Sequence, residues 1–167
     1  MPSTKTTILV EDEPRHAFIL RELIERYFPN LKIVDVVGSV NHAVKAIRDI
    51  RPDIVFLDVQ IQRGTAFDVL NQLDDVTTKY VFVTGHDEFA VKAFRYSAID
   101  YLLKPIDIDF FKEAVQKAIS AIHSDQNHAT LRQSFAAWPK NQLTINTLRG
   151  VMVVKMEHIK YLRSDGG

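Results

Sequence analysis

The chain contains no cysteine, which excludes a disulfide framework, a thiolate zinc site and a cysteine nucleophile. It lacks an excess of either charge, with Lys plus Arg and Asp plus Glu both at 21. That balance by itself points neither to a polyanion-binding protein nor to an acidic tail. No apolar run approaches the roughly 20 residues that a membrane-spanning helix needs. Charges interrupt the opening segment, where a secretory signal would place its apolar core. These absences lead to the expectation of a cytoplasmic protein without membrane contact. The six histidines (His16, His42, His86, His123, His128 and His158) show no paired metal-ligand spacing, which argues against zinc. What is present is 167 residues, 46% hydrophobic and 25% charged, enough for one well-filled core and a further segment.

Short apolar runs alternate with segments of helical period. Thr7 to Val10, Leu31 to Val37, Ile54 to Leu57, Tyr80 to Val83 and Ile99 to Leu102 read as strands buried on both faces. Between and after them, helical spacing is carried by Leu20, Leu23, Ile24, Tyr27 and Phe28, with Pro14 in the first turn. The same spacing holds for Val40, Ala43, Val44 and Ile47 behind Ser39, for the stretches near Phe67 to Leu73 and Phe89 to Phe94, and for Asp107 to Ile122. This alternation predicts a flavodoxin-like, doubly wound α/β fold with five parallel strands in the order 2-1-3-4-5. Residues 1–123 would form that domain, and 124–140 a linker, with Leu131, Phe135 and Trp138 at helical spacing before Pro139. A short β-rich segment, 141–167, would follow, with strands at Gln142 to Ile145 and Val151 to Met156 and the start of a third at Ile159 to Leu162.

A doubly wound sheet gathers its chemistry outside the carboxyl ends of its strands. Those ends carry Glu11 and Asp12 after the first strand, Asp58 after the third, Thr84 after the fourth and Lys104 after the fifth. Taken singly, each has an ordinary explanation as a cap, a helix-start charge or a solvated turn. Taken together, they supply what one reaction requires. Three converging carboxylates call for a hard divalent cation, and magnesium, which keeps waters and accepts phosphate oxygens, fits best. A carboxylate could then receive a phosphoryl group, with the Thr84 hydroxyl and Lys104 ammonium holding its oxygens. A flavodoxin-type cofactor binder is disfavoured because the acidic EDEP after the first strand would repel phosphate. No P-loop is present.

The stretches ILVEDEP (8–14), DIVFLDVQ (53–60), VFVTG (81–85) and DYLLKP (100–105) resemble the receiver domains of two-component response regulators. The resemblance spans residues 1 to about 122. It implies that Asp58 is the phosphoacceptor and that Glu11, Asp12, Asp58 and the Gln60 backbone carbonyl bind Mg2+. It also implies that Thr84 and Lys104 contact the phosphoryl group, that the bond before Pro105 is cis, and that Tyr101 is an aromatic switch turning inward as Thr84 moves. Gln60 and His86 fall where the family tunes phosphoryl-group lifetime. The chain departs from the family pattern at Gln62, Ala66 and Gly85, and Gly64 is expected to supply the turn after Asp58.

The AIDYLLKP strand end followed by VMVVKMEHIKYLRSDG is similar to the LytTR group, whose output is a β-rich DNA-binding domain. Residues 141–167 would then be the opening, N-terminal fragment of such a domain. The expected protein is therefore a signalling phosphoacceptor rather than an enzyme, with at most self-catalysed phosphorylation and dephosphorylation. Its partners would be a sensor histidine kinase and, through a complete output domain, DNA; homodimerisation stays open. The alternative is a phosphorylation-independent interaction module on the same fold.

Overall fold

The computed structural model describes residues 4–73, 77–128, 142–147 and 150–155. In chain order it begins β1 (Lys5–Val10), α1 (Pro14–Tyr27), β2 (Leu31–Val37), α2 (Val40–Ile50) and β3 (Ile54–Leu57). Then come β4 (Gln60–Ile61), β5 (Gly64–Thr65), α3 (Ala66–Leu70), β6 (Lys79–Thr84) and α4 (Ala90–Arg95). The remaining elements are β7 (Asp100–Leu103), α5 (Ile108–His128), β8 (Gln142–Thr147) and β9 (Gly150–Lys155). Strands β2-β1-β3-β6-β7 run parallel in that order, the doubly wound arrangement that the alternating runs predict.

Continuous apolar runs form these strands because helices cover both faces of the sheet. One face holds Leu9, Phe56 and Val81 against Leu20 and Ile24 of α1 and Phe111, Val115 and Ala118 of α5. The other holds Ile8, Val55 and Phe82 against Val44 and Ile47 of α2, Phe67 of α3 and Ala93 of α4. Local signals set the ends of the helices. Pro14 occupies the first turn of α1, where its missing N–H is not needed. Thr65 and Asp68 form a reciprocal capping box on α3.

Three features differ from the sequence reading. The loop after Asp58 contains a small antiparallel hairpin, with Gln60 opposite Thr65 and Ile61 opposite Gly64. Helix α5 runs past Ile122 to His128, into the segment read as a linker. Finally, the sheet continues beyond β7. Strand β8 pairs with it in parallel through Leu102 opposite Asn146, and β9 pairs antiparallel with β8 along six positions. A two-stranded hairpin is marginal on its own in water, and here it is attached to the edge of the parallel sheet through β7. The helical spacing at Leu131 to Trp138 and the strand at Ile159 to Leu162 lie outside the described residues.

Phe111 is fully buried, with its ring centroid 5.9 Å from those of both Phe28 and Phe56, whereas Phe18 is 61% exposed. Phe111→Ala is therefore expected to cost about 3–5 kcal/mol, and Phe18→Ala no more than about 0.5 kcal/mol. Urea unfolding midpoints at constant slope check both.

Candidate functional site

Parallel register brings the strand ends together. The Asp58 N–H donates to the Val10 carbonyl at 2.9 Å, Glu11 N–H to Val37 at 2.8 Å, and Lys104 N–H to Thr84 at 2.8 Å. Side chains from β1, β3, β6 and β7 thus leave the sheet at one edge. The Lys104–Pro105 peptide bond in the following turn is cis.

At the centre of this edge the Lys104 ammonium donates to Glu11 Oε2 at 2.6 Å and to Asp58 Oδ2 at 2.5 Å. The three side chains are nearly enclosed, at 12%, 4% and 11% exposure respectively. Burial pushes the Glu11 carboxyl above its ordinary value; Lys104 pulls it down, and the neighbouring Asp58 charge raises it again. The second Asp58 oxygen, Oδ1, accepts from the Gln60 N–H at 3.3 Å. Two carboxylates already close around one cation, so the donor set fits a hard divalent ion bound through oxygen.

The residues predicted from sequence are not all gathered equally. Glu11, His16 and Asp58 place ligand atoms within 4.8 Å of one another. Asp12 is outside that group. It is exposed and lines an adjoining cleft of about 420 Å³ with Glu11, Gly38, Ser39, His42 and Gln62. Gly38 lets the β2–α2 turn approach there, since a Cβ at Gly38 would sit 3.0 Å from Asp12 Cα. His16 was missed in the sequence because no second histidine lies near it. The usable signal was its place in the first turn of α1, just behind the acidic strand end.

The β4–β5 hairpin shapes the other wall. Arg63 has φ 65 and Gly64 φ 147, and a Cβ at Gly64 would come within 2.8 Å of Asp68 Oδ2 and 3.0 Å of Val40 Cγ2. Glycine is required here by both backbone conformation and space, in keeping with the turn role expected for it. Gln60 is exposed at the start of the hairpin.

Thr84 is fully buried, and its hydroxyl oxygen accepts from the His86 N–H at 3.4 Å. The His86 ring lies 3.2 Å from Glu88. Tyr101, the expected aromatic switch, lies inward in this structure. It is 3% exposed, stacks on Phe82 at 5.7 Å between centroids, and donates its hydroxyl to the His86 carbonyl. Aromatic stacking and this hydrogen bond together account for the inward rotamer. Burial pushes the phenol well above its ordinary pKa.

With this geometry in place, comparison with known proteins is informative. A family profile described as "Response regulator receiver domain" matches residues 7–116. An uncharacterized response regulatory protein of Vibrio vulnificus is 34% identical over 136 residues, covering 79% of this chain and 53% of that protein. The transcriptional regulatory protein BtsR of Escherichia coli (strain K12) is 32% identical over 139 residues, covering 81% and 53%. The chain thus spans about half the length of these two relatives. The crystal structure of the response regulatory domain of protein mrkE from Klebsiella pneumoniae superposes with a TM-score of 0.66 at 27% identity, covering 71% of this chain and 98% of that one. Among the described residues no helix is long and apolar enough to cross a membrane.

Removing the cation from between two buried carboxylates should be costly. In chelator at pH 8, Lys104→Ala is expected to lose about 3 kcal/mol of unfolding free energy. The deficit should shrink at pH 5. A carboxyl whose folded pKa is raised gains stability as pH falls toward that value, and the proton on Glu11 then does part of the work of the ammonium. Urea titrations of wild type and variant at the two pH values check the sign.

Proposed function

Because the chain belongs to the response regulator receiver family, we propose that it accepts a phosphoryl group on Asp58 with Mg2+ and passes the change to a transcription-regulating output domain. The observation that carries this reading is the Asp58 carboxylate itself. It is buried at the sheet edge, with one oxygen on the Lys104 ammonium and the other on the Gln60 N–H. In the transfer, an Asp58 oxygen forms a bond to the phosphorus of a kinase phosphohistidine or of acetyl phosphate. The donor's P–N or P–O bond breaks, and its electron pair leaves with the imidazole or the acetate. Glu11, Asp12, Asp58 and the Gln60 carbonyl would hold the magnesium, which when bound offsets the negative charge of the phosphoryl oxygens.

The remaining steps belong to this chain's own side chains. Forming the acyl phosphate removes the charge from the Asp58 oxygen, so the Lys104 ammonium turns to a phosphoryl oxygen while keeping Glu11. The Thr84 hydroxyl, now paired with the His86 N–H, is the second donor. Its movement changes the His86 backbone, to whose carbonyl Tyr101 is tied, and so the surface formed by α4 and β7. Gln60 and His86, at the mouth of the site, are the residues we assign to control of phosphoryl lifetime. A sensor histidine kinase is the proposed donor.

The output reading rests on sequence similarity to the LytTR group and on relatives named as transcriptional regulators. Residues 141–167 would begin a DNA-binding domain, which the β8–β9 hairpin suits. A second reading, a phosphorylation-independent interaction module on the same fold, rests on the loop from Gln62 to Ala66, where the chain departs from the family pattern.

Incubation with acetyl phosphate and Mg2+, followed by intact-mass measurement, separates the two. The expected result is one added phosphoryl group, absent in excess chelator and absent in Asp58→Asn. A label that persists in Asp58→Asn would refute the acceptor. No label under any condition would favour the interaction module.

A further inference from the structure

We propose that Gln62 is a positioning residue for the magnesium site and acts through its main chain. By bridging the loop after Asp58 to the β2–α2 turn, it fixes the Gln60 carbonyl relative to Asp12 and so favours magnesium over the larger calcium ion. The inference rests on the magnesium reading of this pocket and deepens it. Asp12 and the Gln60 carbonyl, both assigned to the metal there, lie on different loops, one after β1 and one after β3. Their separation depends on what joins those loops.

The β2–α2 turn touches both. On one side the Glu11 N–H donates to the Val37 carbonyl at 2.8 Å, and a Cβ at Gly38 would sit 3.0 Å from Asp12 Cα and 3.1 Å from Asp12 Cβ. On the other side the Gln62 N–H donates to the Gly38 carbonyl at 2.9 Å, and the Gln62 carbonyl accepts from the Val40 N–H at 3.2 Å, a parallel bridge centred on Ser39. The second of these bonds also satisfies an N–H at the start of α2 that the helix itself leaves unpaired. Gln60, two residues before the bridge, pairs with Thr65, and the Ala66 N–H closes the hairpin base on the Val59 carbonyl at 2.9 Å. The Gln60 peptide is thus held from two sides, by its own hairpin and by the turn that backs Asp12.

Both bridging groups at Gln62 are main-chain groups, so the side chain there is free to vary while the N–H is required, and only proline removes it. Magnesium demands near-ideal octahedral geometry, whereas calcium accepts roughly six to eight oxygens in a flexible arrangement. Loosening one carbonyl relative to a carboxylate across the pocket therefore penalises magnesium more than calcium.

The test titrates the whole chain calorimetrically with Mg2+ and with Ca2+, as wild type, Gln62→Ala, Gln62→Pro, Val40→Pro and Asp58→Asn. Gln62→Pro deletes the donor to Gly38. Val40→Pro breaks the bridge from the opposite side, at the first residue of α2, where proline is tolerated and where the preceding Ser39 is already extended at φ −137 and ψ 156. Urea unfolding checks that each variant folds, and either proline variant alone carries the comparison. Gln62→Ala keeps the N–H and is expected to retain both affinities. The proline variants are expected to weaken Mg2+ about tenfold and Ca2+ by clearly less. Amide hydrogen exchange without metal is expected to show the Gln62 and Val40 N–H groups protected in wild type, and Gln62 less protected in Val40→Pro. Unprotected amides in wild type, unchanged Mg2+ affinity in the proline variants, parallel loss of both ions, or equal weakening by Gln62→Ala would overturn the positioning role and leave the magnesium reading standing. If wild type binds Mg2+ no better than Asp58→Asn, the magnesium reading falls and the positioning role falls with it.

Discussion

The arrangement of this molecule's polar edge depends on one contact, the Lys104 ammonium between the carboxylates of Glu11 and Asp58. Two like charges held almost out of water repel each other unless a cation intervenes, and the cation is worth having only if the geometry is tight. Its three members come from β1, β3 and the end of β7, with β6 lying between the last two in the sheet. All four strands must therefore stop at the same level. In a parallel sheet a slip of one residue turns a side chain to the opposite face. The register of Leu57 opposite Phe82 and Thr84 opposite Leu103 is thus as much a requirement of the site as the identities of its charges.

The sheet order was legible because strands covered on both faces must be continuously apolar, and Ile54 to Leu57 and Tyr80 to Val83 leave little room for another reading. The strand-end residues were legible for the same reason, since the first polar side chain after such a run marks where the sheet meets solvent. Orientation was not legible. Glu11 and Asp12 are adjacent where the chain leaves β1 and bends, and the sequence does not say which of the two turns into the fold; Glu11 is buried and Asp12 exposed. Periodicity also has a minimum length. The two-residue strands β4 and β5 are shorter than any alternation pattern, and only Gly64 hinted at the turn. His16 escaped for a different reason: its partners come from β1 and β3, and no spacing rule along the chain reports a contact across a fold.

The two cores divide the work of the fold unequally. The face covered by α1 and α5 is built from aliphatic side chains around Phe28, Phe56 and Phe111. The face covered by α2, α3 and α4 contains a chain of ring contacts from Tyr101 through Phe82 to Phe67, and on to Phe89 and Tyr96. Rings in contact move together or not at all, because a packed interior has few intermediate arrangements. A displacement at Thr84, beside the His86 carbonyl that holds Tyr101, therefore has a physical route to the surface of α4.

Tyr101 joins two parts of that route. Its ring stacks on Phe82 while its hydroxyl donates to the His86 carbonyl, so one side chain is tied to the sheet by packing and to the segment after β6 by a hydrogen bond. A side chain held at both ends moves only when both contacts yield, so the loop and the sheet are coupled through a single residue.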